Sequence, residues 1–227
     1  MAWRDLRVND VDLLMEQCSW LAQQSADVGM PGPHQPVELM GMPVLSGLLS
    51  AATVTPVRLD GVDHELLAWG PVTDRRGWLC RLPVHHADDT DLPEVLRAVW
   101  AAMCGIVEHF GDVSGTWWWL NCNDVLTREA ADWPVEQMLA AYEWMWTDEG
   151  LRIPIEAADY VPVAAEANGN LTLAHRRTGQ VLWFAPDHSE SGVSVLAGCP
   201  EYSLYTFDGV PDLASWIETG AAQWARP

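Results

Sequence analysis

The chain has 227 residues, 49% of them hydrophobic, which is enough for one good core and a smaller second unit. Thirty-two acidic residues face twelve basic ones, all arginine, for a formal net charge of −20. That balance argues against nucleic acid or an anionic membrane as partner, because phosphate contacts need a basic surface. No run of about eighteen apolar residues offers a membrane span.

The first residues, "MAWRDLRVNDVDLL", scatter charges and lack an apolar h-region, so no secretory signal is expected and the location is read as cytoplasmic. Cys18, Cys80, Cys104, Cys122 and Cys199 are odd in number, unevenly spaced and without a C-x-x-C pair. That pattern reads as reduced thiols, not as a disulfide frame or a zinc site.

Taken in chain order, "NDVDLLMEQCSWLAQQ" has Asn9 or Asp10 as a cap. Val11, Leu14, Met15, Cys18 and Leu21 follow at helical spacing. "GMPGPHQP", 29–36, is too rich in proline and glycine for a regular element. "TVTPVRL", "HELLAWGPV" and "GWLCRLPV" predict short strands joined by turns at "RLDGVD" and "VTDRRG". "ADDTD", 87–91, is a polar break, and the division falls there: an N-terminal region of mixed type over 1–90 and a second domain over 91–227.

"DLPEVLRAVWAAMCGIVEHFG" reads as one helix, with Asp91 capping, Pro93 in the first turn, Glu94 closing a capping box and Gly111 as the stop. "GTWWWLNCNDVL" predicts a strand. From Pro134 the stripe Val135, Met138, Leu139, Tyr142, Met145 and Trp146 predicts a helix. "YVPVAAEA" and "NLTLAHR" flank Asn168-Gly169, a hairpin signal that predicts a type I′ turn. "GQVLWFA" and "SLYTF" extend the meander, and Leu213, Trp216, Ile217 and Trp224 form a closing helix. Helices on an antiparallel sheet give the α+β class.

The candidates for chemistry are weak. Asp187-His188-Ser189 has the residue types of a hydrolase triad, but consecutive side chains diverge and no G-x-S-x-G elbow is present. His85-His86 would point to opposite faces of a strand, and Asn121-Cys122-Asn123 has no histidine placed beside its thiol. His175 reads as a packed, hydrogen-bonded histidine. "GDVSG" lacks the end of a phosphate loop. No catalytic residue, metal ligand or cofactor is assigned.

The acid is uneven. Within 129–166, nine acids meet the single Arg152, which makes that stretch the candidate contact face for a basic protein. Its candidate residues are Glu136, Glu143, Asp148, Glu149, Glu156 and Asp159. The run Trp117-Trp118-Trp119, read as a strand, is either a buried aromatic layer under the helices or an interface; Trp118, on the face opposite its neighbours, is the candidate anchor in the second case.

Over about residues 91–224 the order of motifs resembles the SUKH superfamily, which includes many bacterial immunity proteins and the yeast cell-wall regulators. An early L-P-x-x-L helix ends near a glycine, followed by the mid-domain strand Ile153-Pro154-Ile155. A strand pair then leads into Thr178, Gly179 and Val181 with Trp183 as the aromatic, and a helix closes the domain. This chain departs in its reduced glycine-rich turn, Gly111 and Gly115, and in about ninety preceding residues. The resemblance implies a SUKH-like, non-catalytic α+β domain that binds and blocks a partner protein, often a nuclease or deaminase toxin. Two other readings stand beside this immunity protein. One is an enzyme or small-ligand binder with a pocket between the N-terminal region and the sheet, using His85, His86 or His188. The other is a regulatory interaction protein without a toxin.

Overall fold

A computed structural model describes residues 9–83, 90–113, 115 and 117–225. The elements run α1 Asp10–Gln17, β1 Ala26–Val28, β2 Gly32–Pro33, α2 Pro43–Ala51, β3 Thr53–Leu59, β4 Val62–Trp69, β5 Arg76–Arg81, α3 Glu94–Ala102 and β6 Cys104–Phe110. Then come α4 Trp117–Leu120, β7 Cys122–Val125, α5 Arg128–Ala131, α6 Val135–Ala141 and α7 Trp144–Asp148. The last are β8 Tyr160–Glu166, β9 Leu171–His175, β10 Val181–Phe184, β11 Val193–Val195, β12 Leu204–Phe207 and α8 Leu213–Trp224.

Among the described residues the strands form one antiparallel sheet in the order β1-β3-β4-β5-β6-β7-β8-β9-β10-β12-β11, with β2 added beside β3. The α+β class therefore holds. The sheet runs unbroken across the division placed at residue 91, since β5 before it pairs with β6 after it. Both faces are covered, which is why β8 and β10 are buried along their whole length instead of alternating. On one face Leu67, Trp69, Trp78 and Trp183 join residues of α2, α3, α4 and α8 in the main core. On the other, α1 covers Leu66, Ala68, Leu79 and Phe110, and α6 with α7 covers Leu171, Leu173, Leu182 and Phe184.

Several readings need correction. The apolar run from 91 is a helix only to Ala102; Gly105, at φ +75°, is outside helical space, and the chain continues as β6. Register shifts against β5 interrupt the alternation of β6, so Ile106 joins the main core and Phe110 the α1 side. Pro93, not Asp91, stands at the N-cap, without a side-chain cap. The tryptophan run is one helical turn, not a strand. Trp118 is 4% exposed and packs edge-on against Phe207, so it cannot anchor a surface partner. The helix expected from Pro134 breaks at Tyr142 into α6 and α7. Ile153-Pro154-Ile155 pairs with no strand among the described residues. The hairpin at Asn168-Gly169 forms, but with positive φ at Gly169 alone, and Gly169 N donates to Glu166 O across it.

Unread in the sequence was α2. Its N-cap, Met42, offers no side-chain acceptor. Glu218 of α8 supplies one, accepting from Val44 N and Leu45 N at 2.9 Å each. A carboxylate there also meets the positive end of the helix dipole.

α8 lies so close to α4 that a Cβ at Gly220 would overlap Trp119 Cε2, whereas Gly47, on the exposed side of α2, has open space. Gly47→Ala is expected to raise stability by about 0.5–1 kcal/mol through helix propensity. Gly220→Ala should lower it by roughly 1–3 kcal/mol despite the same gain, because the buried indole has nowhere to move. Urea unfolding of both variants checks the pair; a stabilised Gly220→Ala would contradict the packing.

Candidate functional site

The acidic stretch folds as a shoulder of short helices. Thr127 starts it: its Oγ1 accepts from Ala130 N at 3.0 Å as the cap of α5, and its hydroxyl donates to Asp124 Oδ1 at 3.2 Å on β7. Val135, Leu139 and Trp146 then bury against β8, β9 and β10. With those positions turned inward, Asp132, Glu136, Glu143, Asp148, Glu149 and Glu156 are exposed, and Asp159 is half-buried. Among the described residues none of these seven forms an ion pair. Glu129, at the start of the shoulder, is different, with Oε1 lying 2.9 Å from Arg81 Nε.

Two indoles interrupt the carboxylates: Trp133 is 37% exposed and Trp144 58%. Beside Trp133 runs a shallow groove of about 240 Å³, edged by Pro134, Glu136, Tyr160, Pro162 and Arg176. So Glu136, Glu143, Asp148, Glu149 and Glu156 do share one exposed region, with Asp159 partly sunk beside them and Trp118 excluded from it. Trp133 and Trp144 were missed. The signal for Trp144 was its helical offset: Trp146, two residues on, takes the buried side, so Trp144 cannot.

The ribbon that follows carries a buried polar cluster instead of a triad. Glu166, 6% exposed, accepts from Trp183 Nε1 at 3.0 Å and from Asn170 Nδ2 at 3.2 Å. Burial pushes its carboxyl above the usual range, against those two hydrogen bonds. His188 Nδ1 lies 2.8 Å from Asp187 Oδ1, Asn168 Nδ2 donates to Asp187 Oδ2, and the His188 ring stands edge-on to Trp183. Ser189 is exposed, and no hydrogen bond joins it to His188 among the described residues. His175 Nδ1 accepts from Arg177 N and Thr178 N, closing the turn below it. These bonds join β8, β9 and β10 and the loops around them, which is a structural task.

Cys122 has no activating partner among the described residues. Burial raises its thiol well above the ordinary value, and Sγ donates to Trp118 O at 3.2 Å. His85 and His86 lie outside the described residues. Among those described, no group of three His, Cys, Asp or Glu side chains could hold a metal, and no helix is long and apolar enough to cross a membrane. One cleft, of about 460 Å³, opens where β6 meets β7.

Comparison of the chain with family models, with curated proteins and with solved structures gives no match.

Because the folded-state pKa of Glu166 is raised, its ionised form opposes folding above that value, and the penalty is relieved as pH falls through it. Glu166→Gln, uncharged at every pH, should therefore compare best with the wild type at neutral pH and lose that relative advantage in acid. Urea unfolding of both proteins at neutral pH and in the ordinary glutamate range measures the difference; one that grows on acidification would show that the carboxylate is stabilising.

Proposed function

We propose that the chain is a non-catalytic protein-binding module whose acidic shoulder receives a basic partner protein. The observation that carries this reading is the pair of exposed tryptophans, Trp133 and Trp144, set among six exposed carboxylates that have no ion-pair partner among the described residues. Solvated surface charge alone would not call for exposed indoles, whereas tryptophan is enriched among the residues that dominate interface energies. Glu143, Asp148 and Glu149 flank Trp144 and supply long-range attraction that raises the association rate.

The motif order that resembles the SUKH superfamily supports a toxin, of the nuclease or deaminase kind, as that partner. Its firmest parts here are the Thr178-Gly179 turn, the buried Trp183 and the closing helix α8. Its weakest are the helix that ends at Ala102 and the unpaired Ile153-Pro154-Ile155 segment.

The test begins by capturing a basic protein from native lysate with the wild type, then purifying it and titrating it against variants. Reversal of Glu143, Asp148 and Glu149 to arginine should weaken binding about tenfold or more at low salt and flatten its salt dependence. Trp144→Ala should speed dissociation. A captured protein that binds wild type and triple variant alike, at every salt concentration, would refute the shoulder as the interface.

A further inference from the structure

The cleft between β6 and β7 comes from a fault in the sheet. β5 and β6 pair as far as Gly77↔Phe110, but β6 and β7 share only the pair Ile106↔Val125. Beyond it the two strands part, and side chains take the place of a strand along β6. Cys18 Sγ donates to His109 O at 3.3 Å, and Gly111 N donates to Gln17 Oε1 at 2.8 Å. His109 N donates to the carboxylate of Glu108 at 3.0 Å. These three backbone groups are thus satisfied while the space stays open. Its volume of about 460 Å³ falls within the roughly 300–1,000 Å³ common for small-molecule sites.

Buried Trp119 and Trp224 contribute to the lining, and Trp20 stands at the rim, 52% exposed, held there by its indole N–H on Glu108 Oε2 at 2.8 Å. Two carboxylates also line the space. Glu108 accepts from the Trp20 and His109 N–H groups, and Asp124 from the Thr127 hydroxyl, so among the described residues both are met by neutral donors. The arginine of the lining, Arg81, is already committed. It pairs with Glu129, and its Nη1 lies 2.7 Å from Nε2 of His64, whose pKa burial and the Arg81 charge lower.

From this arrangement we infer that the cleft binds a small organic cation, an ammonium or guanidinium compound on a short aliphatic stem. Glu108 and Asp124 receive the charge, and the indole of Trp20 receives the stem and adds cation–π attraction. An anion would meet both carboxylates, and a wholly apolar ligand would leave the polar half of the lining uncovered. The inference does not depend on the acidic shoulder, which lies on other elements.

The experiment titrates the full chain with agmatine and with n-butylamine, using n-butanol as the uncharged control, by calorimetry and by tryptophan fluorescence. Saturable binding of the cations and none of butanol is expected. Glu108→Gln and Asp124→Asn, each checked for unchanged circular dichroism and melting, should weaken binding about tenfold or more. Trp20→Ala, a change at an exposed rim, should weaken it as well and serves if either carboxylate variant fails to fold. The variant with Glu143, Asp148 and Glu149 reversed should bind like the wild type. No saturable binding of either cation would overturn the inference. So would binding that the cleft variants leave unchanged, since that is general attraction to a highly acidic chain.

Discussion

A cluster of indoles under α8 is the contact on which the rest of the molecule depends. Trp69 and Trp78 come from the early strands, Trp119 from α4, and Trp216 and Trp224 from the last helix. Trp78 meets Trp69, Trp119 and Trp224 edge to face, at centroid separations of 4.5–5.6 Å. Pairs of that geometry contribute about 0.5–1.5 kcal/mol each beyond the area they bury. Among the described residues, one of these indoles donates a hydrogen bond, Trp69 Nε1 to Trp224 O at 3.1 Å. The indole N–H groups of Trp78, Trp119, Trp216 and Trp224 find no acceptor among the described residues. Cohesion here comes from ring packing, which tolerates little change in volume, as the fit of Trp119 against Gly220 shows.

Once α8 is held there, Glu218 is placed over the start of α2, and these two helices pack together on one face of the sheet. With α1 and with α6 and α7 on the opposite face, the sheet has cover on both sides. The polar groups this encloses, Glu166 and Asn170 among them, are bonded to one another instead of facing substrate. The thiols follow the same pattern: burial lifts Cys18 to about 12 and Cys104 to about 11, far from a reactive range. Function is thus left to what the layers do not cover. That is the shoulder of short helices and the fault between β6 and β7.

Much of this was legible along the chain, where local chemistry decides. Strand runs rich in branched and aromatic residues became β3, β4, β5, β8, β9 and β10, and Asn9 caps α1 through its own side chain. What escaped was decided at a distance. The cap of α2 sits at Glu218, on the far side of the sequence. Residues 104–110 carry an apolar spacing that suits a helix as well as a strand, and the positive φ required at Gly105 settles it. There a Cβ would run into the backbone of Leu126, a neighbour only in the folded state. For the site, the carboxylates named from the charge pattern fall on exposed or half-buried positions of the shoulder. The choice of tryptophan failed because exposure depends on packing: Trp118 is consumed by the core, while Trp133 and Trp144 are left outside.

The central claim is the proposal that a basic protein partner is received by the shoulder and not by the polar cluster or the cleft. Amide hydrogen exchange, read by mass spectrometry with and without the purified basic partner, addresses it without any mutation. The account predicts slowed exchange concentrated in residues 132–156, with the strands around Glu166 and the β6–β7 junction unchanged. Slowed exchange confined to those strands or that junction, with the shoulder unaffected, would contradict it.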